Sequence, residues 1–432
     1  MSQMPRNYTI LFLNLCGAVT ALVYLIMIAL QQGGNGLGLY EFLLAEFVLV
    51  VLWLGAFGAS REYSGIRWLL LWAVIFRVIG LWGSPILEDD WYRYLWDGYR
   101  FVTDGTPYGI APSSFFATDN LPDRFVEIVG QINNPDLPTI YGPTLQYLFA
   151  LAYLISPGEL WGLKLIMLIA DLGVIAILLR LAPMKYVLLY AWCPLVIKEI
   201  AFTAHPDGIG VFLLLAALFL RLRHFYAAAV VVAALAIAAK VFAVLIMPWL
   251  LWRLAAKYWL LFALVLLAVY LPFLMQGASD FYSLFVFAQH WEFNAAIYAV
   301  VNNFVPDNAA KLLLAIVFLA WLAVYFFKSQ KPEFSMPRVD WVFALFLLIA
   351  PVINAWYWLW VLPFAVIFPS FWAWTVSVAL LLSYCVGLHI PGSELDAYEM
   401  PIWIRSVEFA LIAVAVAIDM QNRRKIVSAE RV

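Results

Sequence analysis

The chain has 432 residues, 66% of them hydrophobic and 12% charged, with a formal net charge of −2. A soluble domain is roughly 45–50% apolar and about 25% charged, so no water-soluble fold can bury this excess and lipid must cover it. No basic tract invites nucleic acid, the cysteines Cys16, Cys193 and Cys385 are scattered through apolar runs, and the four histidines form no His-x-x-x-His pair.

The first apolar run, 8–30, is too long for a signal-peptide core and reads as a retained membrane helix. Further apolar runs follow at 38–60, 65–86, 159–180, 184–204, 206–222, 224–240, 242–256, 258–275, 309–327, 340–354, 356–370, 371–388 and 402–420. The expected fold class is an all-α polytopic membrane bundle of about 12–14 spans, each needing ~20 apolar residues. The runs 242–256, 340–354 and 356–370 are short enough to be broken or re-entrant. The chain is expected to form a single membrane-embedded domain over 1–432.

Lys and Arg set the orientation, because cytoplasmic loops hold the excess of basic residues. With the N-terminus inside, 16 of the 25 fall on cytoplasmic loops or ends, among them Arg6, Arg61, Arg180, Lys185, Arg423, Arg424, Lys425 and Arg431. Both termini are then cytoplasmic. The arithmetic requires that 141–157, which opens Tyr141-Gly142-Pro143 and ends at Pro157-Gly158, does not cross; it is expected as an outer juxtamembrane or re-entrant helix. Two long outer loops remain, 87–140 with nine acidic residues against three arginines, and 276–308.

The strongest local signal opens the first of these loops, Glu88-Asp89-Asp90-Trp91-Tyr92-Arg93-Tyr94-Leu95-Trp96-Asp97-Gly98. On a helix, Asp89, Arg93 and Asp97 share a face at i, i+4 and i+8. A carboxylate at a membrane exit with an arginine behind it suits a general base toward a hydroxyl; a solvated acidic helix cap is the bland alternative. Two structural-looking outer segments follow, Thr106-Pro107-Tyr108 and Leu137-Pro138-Thr139-Ile140-Tyr141-Gly142-Pro143. Four ionisable residues lie in or near spans: Arg77, Lys164, Asp171 and Lys240. Each needs a partner or a cavity, since charge at that depth costs at least ~2.5–3.5 kcal/mol. Lys164 and Asp171, seven apart, are expected to pair along one helix face. Lys240, at an outer turn, is expected either to meet a lipid phosphate or to snorkel. His205-Pro206-Asp207, His290-Trp291-Glu292-Phe293-Asn294 and Asn354-Ala355-Trp356-Tyr357 mark three more outer clusters. Single interfacial aromatics are ordinary belt residues, but together these clusters outline a common outer cavity.

These motifs, in order and spacing, resemble the bacterial polyprenyl-phosphate-mannose-dependent mannosyltransferases of the GT-C superfamily, and more distantly glycosylphosphatidylinositol mannosyltransferase I. The similarity runs from about 65 to 365, leaving 1–64 as two accessory spans and 366–432 as C-terminal spans with a basic tail. The family's Tyr-Pro-Pro reads Tyr141-Gly142-Pro143 here, its Asn-Pro-Tyr reads Thr106-Pro107-Tyr108, and the Pro after Asn354 is Ala355. The resemblance implies a GT-C-type helical bundle with outer juxtamembrane helices, in a bacterial cytoplasmic membrane with its site on the periplasmic face. It also implies inverting transfer of mannose from a polyprenyl-phosphate donor to a glycan or glycolipid hydroxyl. On this reading Asp89 or Asp90 is the base, oriented by Arg93 and Asp97, and Lys240, His205 or Arg405 receives the departing phosphate. Asp207, Tyr141, His290, Glu292, Asn294, Trp356 and Tyr357 are expected to contact substrate. No cofactor is required; a divalent metal on Asp89 and Asp90 is left open and not assigned. A transporter or flippase is the rival class, although its charged sites would sit nearer the midplane. A non-catalytic membrane partner that docks through the acidic loop is the other.

Overall fold

A computed structural model describes residues 6–33, 36–60, 66–118 and 120–429, and the side chains of these except at 6, 66 and 423–429. Arg61 and Arg431, and the side chains of Arg6, Arg423, Arg424 and Lys425, which enter the orientation argument, lie outside the described residues. Among the described residues there is no β-strand, only one isolated bridge between Phe293 and Val352.

The chain opens with α1 (Arg6–Gln32), α2 (Leu39–Ser60) and α3 (Ile66–Trp82), then leaves the bundle as α4 (Trp91–Asp104) and α5 (Asp123–Gly130). It returns through α6 (Pro143–Ile155) and α7 (Trp161–Leu181). Next come α8 (Met184–Ala191), α9 (Pro194–Val196), α10 (Asp207–Leu222), α11 (Tyr226–Ala239) and α12 (Met247–Leu251). The second half holds α13 (Ala256–Leu274), α14 (Phe281–His290), α15 (Ile297–Asn302), α16 (Asp307–Ser329) and α17 (Val339–Ile349), then α18 (Leu362–Ile367), α19 (Phe371–Ala379) and α20 (Ile402–Ala429).

Five of these helices, α1, α2, α7, α13 and α16, are long and apolar enough to cross a membrane; Pro194–Phe202 with α10, bent by 112°, makes a sixth if taken as one span. The protein is therefore an integral, polytopic, all-α membrane protein. Of the other runs expected as spans, 402–420 lies within the 28-residue α20, and the rest form shorter or broken helices whose breaks have local causes. The run 184–204 does not form one helix: Pro194 lacks the N–H and its ring crowds the preceding turn. The chain continues as a π-turn over Ile197–Phe202. The run 242–256 splits into a 3₁₀ turn, Val241–Ile246, and α12, where Pro248 sits. The run 356–370 likewise becomes a 3₁₀ turn, Ala355–Trp360, and α18, with Pro363 in its first turn. The segment opened by Tyr141 is the 13-residue α6, too short to cross alone.

Two glycines let elements approach where no side chain fits. A Cβ on Gly98 would lie 2.3 Å from Phe149 O, so α4 lies flush on α6; one on Gly142 would lie 2.3 Å from Ala238 O, seating the Tyr141 turn on the end of α11. The charges inside the bundle are matched from other helices. Asp171 receives Arg77 Nε (2.5 Å) and the Tyr190 hydroxyl (2.7 Å), while Arg77 also donates to Ala191 O (2.8 Å). The expected Lys164–Asp171 pair does not form: Lys164 Nζ donates to Gly80 O (3.0 Å) and to Gly83 O. Seven-residue spacing puts the two on one helix but says nothing of α3, which reaches Asp171 first.

Candidate active site

Asp89 and Asp90 sit just before α4, after Leu87, whose φ of +53° is left-handed. For a branched side chain that conformation is costly and tends to be kept where function demands it. Ala204 (φ +61°) precedes His205, and Asn134 and Asn294 are left-handed too. Asp90 occupies the helix N-cap without capping it by its side chain, which leaves its carboxylate available. Instead, the Asn133 amide donates to both carboxylates, 2.7 Å to Asp89 Oδ1 and 2.7 Å to Asp90 Oδ1. The Tyr141 hydroxyl reaches Asp90 Oδ2 at 3.4 Å. Burial first, then the charge of Asp90, raises the Asp89 pKa above its ordinary value, with the Asn133 bond opposing. That direction strengthens a carboxylate as a base.

Arg93 and Asp97 do not form the ladder that the i, i+4, i+8 spacing suggests. Arg93 donates to Leu137 O (2.9 Å), Asn134 O (3.1 Å) and Asn133 O (3.4 Å), so it acts on the carboxylates by fixing the loop that carries Asn133. Asp97 accepts the Thr139 hydroxyl (2.5 Å) and the Gln146 amide (3.0 Å). It lies fully buried behind the site, and burial, the largest cause, pushes its pKa up to about 6 against the pull of Arg93.

Lys240 ends α11 in extended conformation and donates to Asp207 Oδ2 (3.0 Å); Asp207 Oδ1 accepts Trp360 Nε1 (2.7 Å). The ammonium stands 4.8 Å from the Tyr357 ring centroid and keeps 18% of its side chain exposed. Phe293 N–H donates to Pro351 O and Ile353 N–H to Phe293 O, both at 2.9 Å, which lays the His290–Glu292 segment beside Asn354–Tyr357.

A single cavity of about 1180 Å³ gathers these parts. Asp89, Asp90, Arg93, Tyr141, Asp207, Lys240, His290, Glu292, Trp356 and Tyr357 all line it. Its apolar wall includes Leu245, Phe287, Phe318 and Phe346. Three expected substrate contacts stand elsewhere. His205 is buried, its Nδ1 2.8 Å from Glu199 and its ring stacked on Trp356 at 4.2 Å, so it backs the wall. Asn294 donates to Glu408 (2.8 Å) and Arg405 to Ala295 O, so both tie α20 to the 276–308 loop. Sequence reasoning passes over Asn133, Asp280 and Lys311, all lining the cavity, and the buried Lys198–Glu199 pair beneath it. Only Lys198-Glu199 leaves a signal, as two charges inside an apolar run. Among the described residues no three His, Cys, Asp or Glu gather as a metal set.

Fold and cavity together define an integral membrane protein whose paired carboxylates and buried-anchored lysine open on one largely apolar chamber. Residues 16–256 match the family described as alpha-(1->6)-mannopyranosyltransferase, N-terminal domain, and the chain belongs to this family of mannosyltransferases. No curated protein and no solved structure matches the chain.

Proposed function

We propose that the protein transfers mannose, with inversion, from a polyprenyl-phosphate donor to a hydroxyl of a glycan or glycolipid at the periplasmic face of a bacterial cytoplasmic membrane. The observation that carries this reading is the mixed character of the cavity: carboxylates and Lys240 at its polar surfaces, Leu245, Phe318 and Phe346 on its apolar wall. A prenyl chain suits the apolar wall and a sugar phosphate the polar surfaces. The basic-residue pattern of the loops supports the face.

In the step proposed, Asp89 or Asp90 removes the proton of the acceptor hydroxyl. The oxygen forms a bond to the anomeric carbon from the side opposite the phosphate, and the bond from that carbon to the phosphate oxygen breaks. The electron pair leaves with polyprenyl monophosphate, whose growing charge Lys240 meets. A fixed cation in a site of low dielectric stabilises such charge far better than water does. The donor carries its own leaving group, so no nucleotide is needed.

The decisive variant is the pair Asp89→Asn and Asp90→Asn. We expect transfer from a polyprenyl-phosphate mannose to fall by ~10²–10⁴-fold, the usual worth of a general base, with the melting temperature in detergent unchanged. Retained transfer by the double variant would remove the base assignment, and cytosolic accessibility of engineered cysteines within 87–140 would remove the proposed face.

A further inference from the structure

The cavity walls come from two parts of the chain. Asp89, Asp90, Asp207 and Lys240 lie within the stretch matched by the family; Tyr384, His389 and Tyr398 lie beyond it. This second wall is a closed loop. Leu388 N–H donates to Ala397 O (2.9 Å), Gly387 N–H to Glu399 O (3.0 Å) and Glu399 N–H to Asp396 O (2.9 Å). A Cβ at Gly387 would lie 2.3 Å from Asp396 O, so the two arms close only around glycine.

The loop presents His389 and Tyr398 to the cavity with fixed polarity. His389 Nδ1 lies 2.9 Å from Tyr384 O, and a carbonyl only accepts; the proton is therefore on Nδ1, and the neutral ring offers Nε2 as an acceptor. Burial, the largest cause, lowers the pKa of this ring and keeps it neutral. Tyr398 is 57% exposed at the cavity surface. Its partial burial, then the charges of Asp89, Asp90 and Glu88, push its phenol up to about 12, so it stays a donor. Glu88 is also driven well above the ordinary carboxyl range, by burial first, against the pull of Lys198. A fixed acceptor, His389 Nε2, and a donor, the Tyr398 hydroxyl, thus line the cavity that also holds Glu88 and the base pair, and neither His389 nor Tyr398 has a part in the transfer step itself.

Sugar hydroxyls both donate and accept, and a site that binds them carries both kinds of group in fixed positions. We propose that His389 and Tyr398, with Glu88, form the acceptor subsite, holding a mannoside so that one of its hydroxyls meets the Asp89–Asp90 pair. The proposal rests on the glycosyl-transfer reading of the cavity. It places two of the three acceptor contacts, His389 and Tyr398, in the part of the chain outside the family match, and the donor phosphate on the Lys240 side.

The test uses the full chain in detergent, a radiolabelled polyprenyl-phosphate mannose as donor and an octyl α-mannoside as acceptor. Tyr398→Phe and His389→Phe are each expected to raise the KM for the octyl mannoside about tenfold, the worth of a good hydrogen bond, leaving the donor KM within about twofold. His389→Gln, which restores an acceptor oxygen, recovers part of the loss; a merely structural histidine would not discriminate Gln from Phe in this way. Tyr398 is exposed, so its hydroxyl can be removed without disturbing the fold. Wild-type transfer with an unmoved acceptor KM in both Phe variants overturns the subsite alone, as does an equal rise in the donor KM. No transfer by the wild type removes the glycosyl-transfer reading, and the subsite with it.

Discussion

The bundle and the cavity each contain a buried ion pair, and the two are built differently. In Arg77–Asp171 both side chains are at most 1% exposed, and the guanidinium also donates to Ala73 O (3.0 Å) and Ala191 O (2.8 Å). This pair joins α3, α7 and the end of α8 and faces no open space. In Lys240–Asp207 the carboxylate is equally buried and equally occupied, by Lys240 and Trp360, but the ammonium keeps 18% exposure toward the cavity. Among the described residues the Lys240 ammonium makes one hydrogen bond, to Asp207, although an ammonium has three donors. The first pair is closed and holds helices together. The second anchors a cation that stays open to the cavity.

That contrast predicts opposite failures. Asp171→Leu leaves Arg77 charged and unpaired inside the bundle, and removing one partner of a buried pair costs ~3–5 kcal/mol. The expected outcome is a large drop in melting temperature and yield in detergent, with the turnover of the surviving folded fraction unchanged. The double variant Arg77→Met with Asp171→Leu should recover most of the stability, because an apolar replacement of a buried pair is often neutral. A stable Asp171→Leu protein with lost turnover would put this pair in the chemistry and erase the contrast.

Lys240→Met should fail the other way. Transfer is expected to fall by ~10²–10³-fold, the usual worth of one fixed charge-stabilising group, and the melting temperature to fall less than for Asp171→Leu. Adding Asp207→Asn removes the carboxylate left behind, which should restore stability while leaving the rate low. If both stability and rate return together, Lys240 is only the partner of Asp207.

The residues that a one-dimensional reading places well are those whose polarity contradicts their surroundings. Asp89, Asp90 and Lys240 stand out because an apolar chain has no other reason to carry them at membrane exits, and all three line one cavity. What stays invisible is which distant element arrives at a given atom. Asn133 looks like one polar residue in a proline-rich loop, yet its amide bridges both carboxylates across more than forty residues of chain. Asp171 invites the wrong cation because its partner comes from α3. His205 carries the chemistry of a phosphate ligand, but the π-turn over Ile197–Phe202 gives Glu199 its Nδ1 and turns its ring flat against Trp356. The broken spans are legible only in part, because proline marks where a helix stops and not how the chain continues.

Asp97 sharpens the comparison from a third side, since its direct partners are the neutral groups of Thr139 and Gln146. Its pKa, about 6 in the folded chain against an ordinary value of 3.8, means that the folded state holds the proton more tightly than the unfolded state. Between roughly pH 4 and 6 Asp97 therefore binds its proton more tightly in the folded chain, and its contribution to stability falls as pH rises through that window and levels off above it. Asp280, also raised to about 6 by its burial, adds a slope of the same sign. Melting curves in detergent across this range should show the decline in the wild type, a shallower one in Asp97→Asn, and a shallower one still when Asp280→Asn is added, the remainder coming from the raised Asp89 and Glu88. A wild-type melting temperature that instead rises from pH 4 to 6 would mean that Arg93 outweighs burial at Asp97, making it an ion pair like the other two.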